Sequence, residues 1–370
     1  MDRRETERLL EVIRQARAAA EPFALATVVR VRGSAYRREG TRMVVRQNGT
    51  YECALSGGCL EPAVAEAAAR VIATGEPVIV GYDLADDSIW GLGIGCSGAV
   101  DIRIERLEDD RIANAWLEVL ERGEAAVLVT PLSGVTGRMI IRTNDASTGT
   151  LSNPLIEKKA VAQAEKLLRS AHPWSGPDWA GNAEIFFEIA TRSPELAIFG
   201  AGDDAVPVAQ LAWSLGFTVT VVDVREAPLT PERFPRARLV RAHFSQFPEK
   251  LRLAPASYAL VMNHHIERDR ESLRFSLESD VAYIGVLGPR SRYDRLLAEL
   301  EKKGYVPLSS KLSRVRSPVG LALGAETPQE IAVSILAEIL ATRRGFEGGF
   351  LSGTVSSLHR PEDSRILARS

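Results

Sequence analysis

The sequence predicts an α/β protein, with an N-terminal α/β domain built from two related halves over residues 1–190 and a C-terminal Rossmann-like parallel-sheet domain over 195–345. Three observations predict it. A stretch of the first half recurs 96 residues later, which is the mark of an internal repeat. The C-terminal region alternates short continuous apolar runs with helical segments, as a parallel sheet covered on both faces requires. A glycine-rich turn follows the first of those runs. Length allows two cores: 370 residues with 45% hydrophobic and 25% charged side chains.

The elements follow in order. Arg4 to Ala20 reads as a helix with Leu9, Leu10 and Ile13 on one face. Phe23 to Arg32 is β-branched and reads as a strand. Arg42 to Arg46 and Thr50 to Leu55 form a hairpin about Asn48-Gly49, a type I′ turn signal. Ser56-Gly57-Gly58-Cys59-Leu60-Glu61 opens a helix reaching Ala73, and strands at Pro77–Tyr82 and Ala99–Glu105 flank a glycine-rich loop over 91–98. The repeat then begins: RMVVRQNGTYECALSGGCLE (42–61) and RMIIRTNDASTGTLSNPLIE (138–157) share seven of 20 positions, among them Arg42 with Arg138 and Glu61 with Glu157. Asp101–Glu105 is echoed at Glu184–Glu188. The second half has Asn153-Pro154 in place of Gly57-Gly58 and no cysteine, so chemistry tied to Gly-Gly-Cys belongs to the first half. Residues 171–181 read as a loop, 191–194 as a linker, and 346–370 as a glycine-rich tail. Strands are expected at Leu196–Phe199, Thr218–Val222, Ala259–Met262 and Ala282–Leu287, with helices between them and at Glu330–Leu340.

Charge and cysteine content narrow the function classes. Lys and Arg total 46 against 48 acidic residues, giving a net charge of -2 and no polybasic surface for nucleic acid or anionic lipid. No apolar run approaches the ~20 residues of a membrane span, and the charged N-terminus lacks the apolar core of a secretory signal. Three cysteines argue against a disulfide framework and fit a reducing cytoplasm.

Four groups of residues carry candidate chemistry. Gly200-Ala201-Gly202-Asp203-Asp204-Ala205 is a GxGxxA turn between strand and helix, with Asp223 at the end of the next strand. Gly200 and Gly202 would let backbone amides approach a phosphate, and Asp223 would accept from ribose hydroxyls. Asp203 and Asp204 oppose a pyrophosphate there and can instead serve as helix caps. Cys59 follows Gly57-Gly58 at a helix start, where amides and the helix dipole favour a thiolate. Cys96 lies in the second glycine-rich loop, whereas Cys53 reads as a small buried hydrophobe. No CxxC or neighbouring His completes a zinc set, which leaves a single-thiolate contact to a soft metal. Asn263-His264-His265 follows a strand, at the sheet edge where open α/β sheets bind ligands, and His264 can carry a proton there. Arg290 and Arg292, and Arg37, Arg38 and Arg42 near the first glycine loop, are anion-friendly groups.

Taken together, these residues resemble the XdhC and CoxI family. The matching pieces are Gly33-Ser34 with Arg37, Gly40 with Arg42-Met43, Ser56 to Glu61, Gly95 to Gly98, IFGAGDDA (198–205), VVDVR (221–225), MNHHIERD (262–269), YIGVLGPRSR (283–292) and SPVGLALGAETPQEIAVSILAEI (317–339). Tyr36, Asp203 and Asn263-His264-His265 depart from the family's usual pattern. The resemblance implies a non-catalytic accessory chaperone. It would bind the molybdenum cofactor, assist its sulfuration, and insert it into a molybdenum hydroxylase of xanthine dehydrogenase or carbon monoxide dehydrogenase type. A cysteine desulfurase is the implied sulfur source. Glycine-loop amides with Arg37 or Arg42 suit the cofactor's phosphate, and Cys96 or Cys59 suits the metal or its sulfur, with Cys96 taken as the metal contact. The alternatives are an NAD(P)-dependent oxidoreductase using Gly200, Gly202 and Asp223, or a nucleotide-binding regulatory module. A homodimer is the expected assembly.

Overall fold

The computed structural model describes residues 3–33, 35–84, 98–107, 109–143, 147–170, 173–255 and 257–353. Residues 91–97 of the loop expected over 91–98, with Cys96, lie outside the described residues. The chain divides into two compact units, Met1–Arg192 and Ser193–Ser370.

The first unit begins with helix α1 (Arg3–Ala18) and strand β1 (Phe23–Gly33), then β2 (Arg42–Arg46), β3 (Tyr51–Glu52), α2 (Glu61–Thr74), β4 (Val78–Asp83) and β5 (Gly98–Arg106). After α3 (Arg111–Arg122), whose N-cap Asp110 accepts from the amides of Ile112 and Ala113, come β6 (Ala126–Pro131), β7 (Gly137–Arg142), β8 (Ser147–Leu151), α4 (Pro154–Arg169), β9 (Gly176–Ala180) and β10 (Ala183–Ala190). These strands form two antiparallel five-stranded sheets, in the orders β3-β2-β1-β5-β4 and β8-β7-β6-β10-β9, which is one pattern used twice. Residues 96 apart also keep a bond in common. The amides of Leu55 and Leu151 donate to the carboxylates of Glu61 and Glu157, at 2.9 and 2.7 Å.

Strand periodicity of two sorts the side chains of each sheet. On one face of the first sheet, Ala24, Ala26, Met43, Val45, Ile102 and Ile104 pack under α2, with Val64, Ala68 and Val71 against them. Met139, Ile141, Ile185 and Phe187 do the same under α4 in the second sheet. The opposite faces carry Arg42, Arg103 and Glu105 in the first sheet and Arg138, Phe186 and Glu188 in the second, and all six line one interior cleft. There the ion pairs run between halves. Arg42 pairs with Glu188, and Arg138 pairs with Glu105, which also accepts from Arg103 at 3.0 Å. Arg30 joins Asp101 of one half to Glu184 of the other.

In this unit two of the sequence expectations change. The hairpin's second strand stops at Glu52, because Cys53 takes φ +64 and the amides of Leu55 and Ser56 turn to the Glu61 carboxylate instead of a sheet partner. Residues 176–180, whose Gly and Pro predict a loop, are edge strand β9, where Pro177 lies in a strand paired on one side by β10.

In the second unit, six strands run parallel: β11 (Glu195–Phe199), β12 (Thr218–Asp223), β13 (Ala237–Arg241), β14 (Tyr258–Val261), β15 (Tyr283–Val286) and β16 (Val315–Arg316), in the order β13-β12-β11-β14-β15-β16. This is the doubly wound 3-2-1-4-5-6 order of a Rossmann sheet, so the fold class expected from the sequence holds. Its helices are α5 (Ala205–Ser214), the short α6 (Phe247–Lys250), α7 (Ile266–Glu278), α8 (Arg290–Lys302), the short α9 (Ser309–Leu312) and α10 (Pro328–Arg344). Strand β13 falls within a segment the sequence predicts as helical, since ARLVR has only two large apolar residues. On one face, Val208 and Ala212 of α5 and Ile335, Leu336 and Ile339 of α10 share a core with Leu196, Ile198, Val219 and Leu260. The other face is covered by two clusters, one around Leu273, Leu277 and Leu296 of α7 and α8, the other around Phe199 and Phe247.

The interior pairs generate a stability prediction. Arg42 and Glu188 expose 5% and 8% of their side chains, and removing one partner of such a pair costs ~3–5 kcal/mol because the other charge stays buried. Arg42→Met is expected to destabilise the N-terminal unit by about that much in urea unfolding, and Arg42→Met/Glu188→Leu to regain most of it. A double variant as unstable as the single one would refute the assignment.

Candidate functional site

In the first unit the sequence-selected loop is held by one serine. Ser56 Oγ accepts from the amides of Gly58, Cys59 and Leu60 at 3.1–3.2 Å and donates to Glu61 Oε2 at 2.6 Å. Glu61 Oε1 accepts from the amides of Leu55 and Ser56. Burial pushes the Glu61 carboxyl up, but the Ser56 and Leu55 hydrogen bonds outweigh it and hold the group below its usual range. The helix therefore starts at Glu61, and the turn before it fills its own ring of amides with the Ser56 oxygen, where the sequence leads one to expect an anion. Asn153 does the corresponding work in the second half, accepting from the amides of Leu155 and Ile156.

Cys59 keeps a half-buried thiol, 3.3 Å from Ser56 Oγ and against the core under α2. A Cβ on Gly57 or Gly58 would meet nothing within 4 Å, so the turn's outer side is open; Gly58 needs its glycine for φ +112. Cys53 packs with the α1 core, and burial pushes its thiol up.

The arginines expected beside this loop are not there. Arg42 alternates with Met43 and Val45, so it faces the interior cleft while Cys59 sits on the α2 side; its guanidinium pairs with Glu188 and stacks 5.8 Å from the Trp116 ring. Arg37 reaches α1 and pairs with Glu5. Neither is brought to Gly57-Gly58-Cys59 as a phosphate clamp. Arg38 is ion-paired to its neighbour Glu39.

In the second unit, the sheet order brings together two groups that the sequence kept apart. The loops after β11 and β14 are neighbours across the switch point, where strand order reverses. Gly200 there has φ +118, and a Cβ on it would lie 2.4 Å from the Met262 carbonyl oxygen, so only glycine allows the two loops this approach. Asp204 Oδ2 lies 2.6 Å from His264 Nε2. His264 has φ +56, a conformation uncommon outside glycine, and its ring is well exposed. With Nε2–H donated to the carboxylate, Nδ1 is left as acceptor, which equips the pair to hold or move a proton.

Asp204 thus serves His264 and makes no side-chain cap on α5, and Asp203 pairs with Arg233 at 2.8 Å; the capping role allowed for them from sequence is not taken. Asp223 is buried and fully engaged. Its two oxygens accept from the Ala201 amide, the Arg225 amide, and Arg225 Nε and Nη2. Burial raises its pKa, but the Arg225 and amide hydrogen bonds outweigh burial and hold it below the usual range. Four bonds exhaust a carboxylate's lone-pair positions. A ribose hydroxyl, the expected partner of Asp223, would have to displace Arg225.

Arg292 is drawn inward to the buried Asp269, which also accepts from the amide and side chain of Asn263, so this pair anchors the His264 loop from beneath. Arg290 opens α8, exposed, paired with Asp294 and lying over the Tyr293 ring. Among the described residues no group of three or more His, Cys, Asp and Glu is arranged to hold a metal ion. No helix of the described residues is long and apolar enough to cross a membrane.

Residues 196–339 match the model of the XdhC Rossmann domain, and residues 16–83 match that of the XdhC and CoxI family. Over 332 residues, 88% of this chain and 94% of the relative, the chain is 34% identical to a Bacillus subtilis protein named as a probable subunit of xanthine dehydrogenase. The chain belongs to the XdhC and CoxI family. It is also 25% identical over 342 residues to an Escherichia coli protein named molybdenum cofactor insertion chaperone PaoD, covering 92% of this chain and 85% of the relative. A crystal structure from Bacillus halodurans, described as a xanthine dehydrogenase, superposes with TM-score 0.74 at 29% identity, over 94% of this chain and 98% of that one. The family pieces Ser56 to Glu61 and 198–205 are thus the Ser56-centred turn and the Gly200 loop.

Ser56, Glu61, Arg225 and Asp269 lie in the family-matching pieces of the sequence but carry no role there; each stands two to six residues from a candidate that does, Cys59, Asp223 or Asn263, which is the available signal. Glu61→Gln is expected to cost ~1–3 kcal/mol at pH 7, because an amide cannot accept from two backbone amides and also from the Ser56 hydroxyl. The folded-state pKa lies below the ordinary 4.5, so this stability is complete above that value and fades as pH falls through the lowered folded pKa. Urea titrations of both proteins from pH 7 to pH 3 should show the gap narrowing only below about 4.5; a gap constant over that range would contradict the role given to the carboxylate.

Proposed function

We propose that this chain is a molybdenum-cofactor chaperone that assists sulfuration of the cofactor and its insertion into a molybdenum hydroxylase. The observation that carries the proposal is the near full-length similarity to the Escherichia coli protein named a molybdenum cofactor insertion chaperone. The residues present support it. Cys59 offers a soft sulfur ligand on a turn whose outer side is open. Cys96 is proposed as the metal contact in the same role. In the second unit, at the carboxyl edge of the parallel sheet, His264 on its Asp204 partner and the exposed Arg290 offer a proton carrier and a cation. Arg37 and Arg42 are committed to Glu5 and Glu188, so the first unit's arginines near this turn are not the cofactor's phosphate clamp.

Some relatives carry a dehydrogenase name, but this chain's three cysteines are too few for one four-cysteine iron–sulfur cluster. An accessory role to such an enzyme is the reading that fits. A cysteine desulfurase as sulfur donor and a homodimer belong to the same proposal, which places the protein in the cytoplasm.

A second reading is nucleotide binding, with or without NAD(P)-dependent turnover, favoured by the Gly200 turn at the switch point of the sheet. Against it stand the carboxylates of Asp203 and Asp204 at the phosphate end and the saturation of Asp223 by Arg225.

Anaerobic purification followed by metal and pterin analysis is expected to find the cofactor bound to the wild type. Cys59→Ser and Cys96→Ser are expected to lose uptake tenfold or more while their circular dichroism and melting stay unchanged. No uptake by the wild type overturns the proposal. In calorimetric titration with NAD(P)H, saturable binding accompanied by turnover would establish the second reading instead.

A further inference from the structure

The interior cleft of the first unit presents more donors and more positive charge than its own residues satisfy. It is a narrow space of about 30 Å³ between the inward faces of the two sheets. Its charged lining is Arg42, Arg103 and Arg138 against Glu105 and Glu188, three cations and two anions. The carboxylates take the terminal guanidinium nitrogens of these arginines. Left over are Arg42 Nε, Arg103 Nε and Trp116 Nε1, three buried N–H donors with no acceptor among the described residues. A buried donor without a partner costs ~1–3 kcal/mol, and an uncompensated buried charge costs more. Residues from both halves contribute, so the surplus is a property of their packing and not of a single loop.

We propose that this cleft is a binding site for one monatomic monoanion of the chloride class, held by Arg42, Arg103 and Trp116 between the two halves. An anion supplies what the cleft lacks on both counts. It accepts from all three N–H groups and cancels the surplus positive charge. A water molecule would accept from two of them, leave the charge as it is, and need acceptors for its own two protons. The volume is enough for one monatomic ion. The second half has Phe186 where the first has Arg103, so the lining holds only one such extra cation and one ion suffices. Bound there, the ion would tie strands β2 and β5 to helix α3, and stabilise the unit by mass action as any ligand of the folded state does.

The test uses the full chain and bromide as the probe. Crystals grown or soaked in bromide are expected to show an anomalous peak within about 3.5 Å of Arg42, Arg103 and Trp116. In solution, the melting midpoint is expected to rise by about 3 °C or more in chloride over gluconate at equal ionic strength, and to saturate. Trp116→Phe, which keeps the ring and removes the donor, should lower bromide occupancy at least twofold and blunt the chloride effect, and Arg103→Met should abolish both. The wild-type crystal decides even where a variant fails to fold. No bromide peak in the cleft at saturating bromide overturns the proposal, whatever the midpoint does, and a water refined at that position overturns it equally.

Discussion

The N-terminal unit depends on a reciprocal exchange of charge. Each half supplies an arginine from its second strand and a carboxylate from its fourth, and each arginine is answered by the other half's carboxylate: Arg42 by Glu188, Arg138 by Glu105. Because these groups are buried, neither half can keep its charges solvated once the sheets have met. The exchange is also uneven. Glu105 has Arg103 as well as Arg138, and although burial pushes it up, these two cations hold its carboxyl low; Glu188 is bonded to Arg42, and burial pushes it up despite Arg42 and Arg138.

The same interior decides what the first sheet can offer a ligand. Strand parity turns Arg42 away from Cys59, so the cysteine turn gains no guanidinium from that strand and stands on its own hydrogen bonds. Ser56 relays three amides to the Glu61 carboxylate, a short polarised chain that fixes the turn while leaving the thiol at its edge. In the second unit the arrangement is built differently. Two loops from strands adjacent in space but far apart in sequence are locked by glycine at 200, and a carboxylate from one orients an imidazole on the other.

Much of this was readable from the residues, and the part that was not has a physical reason. The parallel sheet declared itself through apolar runs four to six residues long, and the Asn48-Gly49 turn through its composition, because both signals are local. Strand β9 hid behind Gly and Pro, which an edge strand tolerates. Strand β13 hid because an edge strand needs few apolar residues. At the candidate sites, the glycines, Cys59 and His264 were legible as residue types. Their long-range partners were not, since whether Arg42 faces a phosphate or Glu188, and whether His264 meets Asp204, is settled by packing across tens of residues. Arg225, two positions after Asp223, and Ser56, three before Cys59, stand close enough in sequence to be suspected.

The crossed pairs also set an order of events during synthesis. Arg138 follows Glu105 by 33 residues, but Glu188 follows Arg42 by 146. While the ribosome is still making the second half, the first sheet holds an arginine with no acceptor and an inward face with nothing to close upon. Translation must run almost to the end of this unit before its earliest strands can settle, and a nascent chain halted at mid-unit would be a client for whatever guards unfinished proteins.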